Sequence, residues 1–147
     1  MSMFSTLEIS GSALAAERER AEVVAANMAN AETTHTKGGG PYRRKEVVFS
    51  SPSNLSFRMM FADFHSLPTN LVPAVRVARV VNDPAPAVMR YEPGHPDANK
   101  EGYVAYPAIN PVQEMVDLMG AVRSYQLNAA AVNASKQMIQ QALEILK

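Results

Sequence analysis

Beyond Asn110 the apolar residues fall on two seven-residue series, and this regularity limits the fold more than any other feature. Leu118, Tyr125, Val132, Ile139 and Leu146 form one series. Met115, Val122, Ala129, Lys136 and Leu143 form the other, with Lys136 alone departing from apolar character. Two such rows held over about five heptads demand a long helix packed in the manner of a coiled coil. Asn110 suits the N-cap, Pro111 the first helical position, and Gln113 stands where a capping-box partner belongs. At 1.5 Å per residue this helix should span roughly 55 Å, more than a compact domain of this length can enclose.

The opposite end of the chain carries a weaker version of the pattern. A helix of roughly 40 Å is predicted over residues 4–31. Ser5 and Glu8 have capping-box spacing, and Phe4 and Ile9 are placed as a hydrophobic staple. Leu7, Leu14, Ala21 and Met28 recur every seven residues; the companion row Phe4, Gly11, Arg18 and Ala25 is poorer, and residues 17–22 add a charged belt. The run from Thr33 to Pro41, with three successive glycines, stops the helix. Most of the ten prolines lie between the two helices. Strands are predicted there over 46–49, 56–64, 74–81, 88–91 and 102–106, with turns at 82–86 and 92–96. The expected fold is mainly α with a small β-rich middle. Long N- and C-terminal helices (residues 1–34 and 110–147) pair as a coiled-coil-like hairpin, and residues 35–109 form an extended β-hairpin and loop module.

A two-helix hairpin buries only the seam between its members. The stretches Ala13-Leu14-Ala15-Ala16, Val23-Val24-Ala25-Ala26 and Ala129-Ala130-Ala131-Val132 extend the apolar surface past one seam. Helices draw most of their stability from tertiary packing, so the surplus calls for neighbours, and repeated identical neighbours build rings or filaments.

Composition narrows the functions. The chain is 47% hydrophobic and 19% charged, well away from disorder. Lys plus Arg and Asp plus Glu each total 14, which leaves no net field to attract nucleic acid or anionic lipid, and neither is expected as a partner. Arg43-Arg44-Lys45, followed by Glu46, reads as a solvated loop edge. Without cysteine there is no disulfide, thiolate metal site or thiol nucleophile. His35, His65 and His95 are scattered through predicted loops without metal-ligand spacing, and Gly38-Gly39-Gly40 precedes a proline and a strand where a phosphate cradle needs a helix. Glu17 and Glu22 read as a solvated helix face, and the methionines, Met59-Met60 among them, as adaptable packing. No catalytic residue, metal or cofactor is expected, and the chain is not read as an enzyme. No run of about 18 apolar residues is present. Residues 1–8 lack the basic start and apolar core of a secretory signal, so export, if it occurs, should follow another route.

Five motifs follow one another along the chain. They are Val23 to Thr33 (V-V-A-A-N-M-A-N-A-E-T); Gly40-Pro41-Tyr42-Arg43 with Val47-Val48-Phe49; Tyr91-Glu92-Pro93-Gly94-His95-Pro96; Gly102-Tyr103-Val104; and Asn110-Pro111-Val112 through Glu114-Met115-Val116-Asp117 to Arg123-Ser124-Tyr125-Gln126 and Asn128. In this order they resemble the flagellar basal-body rod and hook family, its proximal-rod members most of all. Met28 stands where the pattern N-L-A-N-A-x-T has leucine, and residues 50–81 carry no matching motif. The resemblance implies a structural subunit that polymerises through its terminal helices into a hollow axial drive shaft crossing the periplasm, transmits torque, and is exported without a cleaved signal peptide. It implies as partners further copies of the chain, sister rod proteins, the membrane-ring and export-gate adaptor at the rod base, and the flagellar type III export machinery. The interface residues expected from seams and signatures are Leu7, Leu14, Asn27, Met28, Asn30, Met115, Leu118, Val122, Tyr125, Gln126, Asn128, Val132, Ile139, Leu143 and Leu146. Asn27 and Asn30 read either as helix terminators or as bridges between chains, Tyr125 as core or contact, and Gln126 and Asn128 as register-setting groups. The seams alone also fit a soluble helical adaptor or chaperone that binds client helices.

Overall fold

Long apolar periodicity at both ends becomes two helices in the computed structural model, which describes residues 3–51 and 74–145, with side chains from Ser5 onward. Helix α1 runs Met3–Ala29, and strands β1 (Lys45–Ser50), β2 (Arg76–Asn82), β3 (Val88–Tyr91) and β4 (Tyr103–Tyr106) follow before helix α2 (Pro111–Ile145). The helices pair antiparallel: Asn27 meets Glu114, Arg20 faces Asp117, and Glu17 and Ala21 share a groove with Ala121 and Tyr125. Among the described elements only α1 packs on α2.

The termini of the helices follow local chemistry. Asn110 caps α2, its Oδ1 accepting from Val112 N at 3.0 Å. At the end of α1, Asn30 Nδ2 donates back to Ala26 O at 2.8 Å and Oδ1 accepts from Thr33 Oγ1, so the helix closes two residues earlier than predicted. The other end of α1 departs from expectation, because the chain is already helical at Met3 and Ser5 lies inside the first turn. A Ser5–Glu8 capping box therefore does not open the helix.

The seam also differs from the predicted one in its second row. Leu118, Val132 and Ile139 are half-buried as expected, but Met115, Val122 and Leu143 stand exposed. Glu114, Ala121, Asn128 and Ser135, each one residue earlier, take the inner place. On α1 the row of Ser10, Glu17 and Val24 replaces Gly11, Arg18 and Ala25, which are exposed. Ala121 is wholly enclosed, and small residues at such positions let two backbones approach closely. Leu146 and the predicted strand 56–64 lie outside the described residues.

The middle holds two separate two-stranded antiparallel sheets. In the first, Lys45 lies opposite Asn82 and Ser50 opposite Arg76, with a bulge between Val48 and Phe49. This hairpin lies along α1, where Val75 N donates to Ser12 Oγ at 3.0 Å. In the second, Val88 pairs with Tyr106 and Tyr91 with Tyr103, whose rings meet edge-to-face with centroids 5.3 Å apart. Buried hydrophobic residues among those described are few: Ala16, Val24, Val104, Tyr106 and Ala121.

Candidate functional site: a buried polar joint and an exposed helix face

Three of the five motifs meet in space where α1 ends and α2 begins, through Asn27, Tyr42 and Glu114. Asn27 has no exposed surface and Glu114 has 1%. A buried polar side chain is tolerable only if its hydrogen bonds are made, and Asn27 makes all four. Its Nδ2 donates to Lys45 O at 2.8 Å and to Glu114 Oε2 at 3.0 Å. Its Oδ1 accepts from Lys45 N at 2.9 Å and from the Tyr42 hydroxyl at 3.2 Å. Both backbone groups of Lys45 point away from β2 at this position, and the Asn27 amide completes the rung as a neighbouring strand would.

Glu114 spends its second oxygen on Arg44, whose Nε donates to Oε1 at 2.6 Å. The same guanidinium also bonds Glu46 and lies 3.9 Å from Asp83 Oδ2 and 3.6 Å from Asp117 Oδ2. Arg20 approaches Asp117 from the far side at 3.9 Å. Burial disfavours the charge on Arg44, but hydrogen bonding and attraction from Glu114, then from Glu46, outweigh it and raise its pKa. Burial first, and the Glu114 charge second, raise the pKa of the Tyr42 hydroxyl. The reading of Arg43-Arg44-Lys45 as a solvated edge is thus corrected at Arg44. A loop edge gives no sign in sequence that a carboxylate lies 70 residues away, whereas Arg43 is exposed as expected.

Glu17 is a second correction. It faces inward, with one carboxylate oxygen buried and lacking a hydrogen bond, and Arg20 Nη1 3.9 Å away. Its neighbours in the belt behave as read, since Arg18 and Glu22 pair on the exposed side at 2.9 Å.

The remaining predicted residues divide into two groups. Leu7, Leu14, Met28, Leu118, Val132 and Ile139 are half-buried. Asn30 closes α1, and Asn128 bonds Ser124 O within its own helix at 2.9 Å. Met115, Val122, Tyr125, Gln126 and Leu143 face outward. Beside Met115 and Val122 lie Val112, Val116 and Met119, which the sequence reasoning had not selected and which leave half or more of their surface exposed. Their spacing (112, 115, 116, 119, 122) is that of one helix face, so α2 carries a second apolar stripe against which no described helix or strand packs.

The other motifs converge on the β3–β4 end. Gly102 has φ +84°, Glu92 N donates to Gly102 O at 2.9 Å, and the Tyr106 hydroxyl donates to Glu92 Oε2 at 2.9 Å. Asn99 Oδ1 accepts from the backbone of Glu101 and Tyr103, and the Arg90 guanidinium lies over the Tyr106 ring. Thr34 Oγ1 reaches Asp97 at 2.7 Å, tying this loop to the exit of α1. Among the described residues no group of His, Asp or Glu is arranged to hold a metal.

The sequence that builds this arrangement is similar to known proteins. Residues 7–35 match the family described as "Flagella basal body rod protein", and residues 100–145 match "Flagellar basal body rod FlgEFG protein C-terminal". The Bacillus subtilis flagellar basal-body rod protein FlgC is 42% identical over the full length of both chains. The Borreliella burgdorferi protein of that name is 37% identical over all of this chain and 99% of its own, and the Salmonella typhimurium one is 38% identical over 99% and 98%. The two matched segments include the facing ends of α1 and α2, so Asn27 and Glu114 each lie in a segment characteristic of these proteins. With identity of this level sustained from end to end, the chain belongs to the family of flagellar basal-body rod proteins FlgC.

Proposed function

We propose that the chain is a structural subunit of the proximal flagellar rod, packing α1 and α2 against copies of itself and sister rod proteins to build a hollow torque-bearing shaft. The apolar stripe Val112, Met115, Val116, Met119 and Val122 carries this reading. It repeats the helical spacing of a buried seam, yet among the described residues no helix or strand packs on it. A stripe of this kind is an interface awaiting a helix. The relatives bear the name of rod proteins, which makes neighbouring rod subunits the natural occupants. On this reading the rod base and the type III export machinery are encountered in passage, and the periplasm is the compartment the finished shaft crosses. Leu7, Leu14, Met28, Tyr125, Gln126 and Leu143 would serve further contacts along the two helices, and Leu146 lies outside the described residues.

The test places charge on the stripe. A Val116→Glu/Met119→Glu chain should fold and be exported but fail to enter basal bodies, and cells carrying it should not swim. Normal swimming, with the variant present in purified basal bodies, would remove the stripe from the interface.

A further inference from the structure

We infer that Asn27 and Glu114 act together as a positioning clasp, which makes the seating of β1 depend on the docking of α2 against α1. The chemistry lies in the direction of one amide. The terminal torsion of asparagine is soft and nearly two-fold, so Asn27 can turn its NH2 or its oxygen toward Lys45 N. Only one orientation serves, with Oδ1 on Lys45 N and Nδ2 on Lys45 O. A carboxylate can only accept. By standing 3.0 Å from Nδ2, Glu114 requires the NH2 to face it and so presents Oδ1 to Lys45 N and the Tyr42 hydroxyl. Arg44 holds the carboxylate in turn through its other oxygen. Glu114 belongs to α2, Asn27 to α1, and Lys45 opens β1, so α2 holds the amide in the one orientation that the β1 backbone can use. The hairpin has a second anchor at Ser12–Val75, which keeps its far end along α1 and leaves the Lys45 end to the clasp. The signature asparagine therefore works inside its own chain, and Glu114 is its partner. The clasp rests on no assumption about the rod; its consequence for assembly does.

Sign reversal in a double-mutant cycle separates positioning from ordinary loss of stability. In the purified full-length chain, amide hydrogen exchange is followed over residues 42–50 and, as a control, over 10–24. Glu114→Gln removes the constraint on the amide and should speed exchange over 42–50 by roughly tenfold, the scale of one buried hydrogen bond. Asn27→Asp brings two carboxylates together and should speed it further. Adding Glu114→Gln to Asn27→Asp should now slow exchange, because glutamine can donate to the new carboxylate. Should Asn27→Asp alone fail to fold, recovery of folding in the double variant is the expected result. The inference is overturned if Glu114→Gln is harmful or neutral in both backgrounds, if 10–24 loses protection in step with 42–50, or if the unaltered chain shows no protection over 42–50.

Discussion

Gly102 adopts φ +84°, and a Cβ built there would stand 2.8 Å from Tyr91 Cε2 and 3.3 Å from Pro93 Cβ. Backbone preference and space thus exclude a side chain for separate reasons. Gly102→Ala should destabilise the β3–β4 hairpin by about 1–3 kcal/mol, read as a lower thermal midpoint with loss of the near-ultraviolet signal of Tyr91 and Tyr103. Two tyrosines make a second residue-level prediction. The hydrogen bond to Glu92, with lesser help from burial, raises the pKa of Tyr106, while burial and then Glu114 raise that of Tyr42. Each hydroxyl therefore holds its proton longer in the folded chain than the ordinary value of 10.0 allows. The stability they contribute is complete below that pH and is lost as pH rises through the raised values. Tyrosinate absorbance should accordingly appear later in the folded than in the denatured chain, and Tyr42→Phe and Tyr106→Phe should each remove a late component. Coincident folded and denatured curves would contradict this. Glu114 itself shows what sequence conceals. It belongs to the last motif, but a lone acid in the first turn of a helix carries no sign of being the floor of a buried joint. The available hint was its phase, since 114 heads the row of Ala121, Asn128 and Ser135 that turned out to face inward.

Periodicity, caps and turn residues made both helices and four strands readable to within a few residues, because those signals are local. The phase of the α2 seam was not readable. Two stripes lie side by side on that helix, and hydrophobicity favours the one on which no described element packs. Met115 and Val122 are more apolar than Glu114 and Asn128, yet the smaller or polar row faces α1. Nothing within a single sequence says which of the two stripes faces α1. Glu17 was misplaced for a related reason, as a charged belt looks solvated until one member proves to lie on the seam. Its oxygen without a hydrogen bond suggests that the α1–α2 contact is not optimised for the isolated chain. A buried polar atom left without a hydrogen bond costs about 1–3 kcal/mol, more than the long 3.9 Å contact with the partly exposed Arg20 returns, so Glu17→Leu should raise the thermal midpoint of the purified protein. The cap gives the opposite control: Asn110→Ala should lower stability by about 1 kcal/mol, measured by the same melt.

Magnitudes decide how the whole chain should behave in solution. Fully burying a Val or Met side chain is worth about 1.5–3 kcal/mol. The five stripe residues are already partly covered, so about half of that remains for each, or roughly 5 kcal/mol for the stripe. Bringing two proteins together costs an estimated 4–15 kcal/mol in lost freedom. One stripe against one neighbour therefore about breaks even, and a stable isolated dimer is not expected. A subunit held by several neighbours at once loses that freedom only once while each added contact contributes, which is the condition under which a filament grows from weak pairwise contacts. Sedimentation of the purified chain should show weak association that increases with concentration and stops short of a defined dimer. Because the stripe is apolar, sodium chloride should not weaken this association and sulfate should strengthen it. Val116→Glu/Met119→Glu should return the chain to monomer while changing its helical circular dichroism little, since both side chains are exposed on α2. A tight dimer that dissolves in moderate salt would instead place the contact on charged surfaces, and α2 would then have to find another occupant for its outer face.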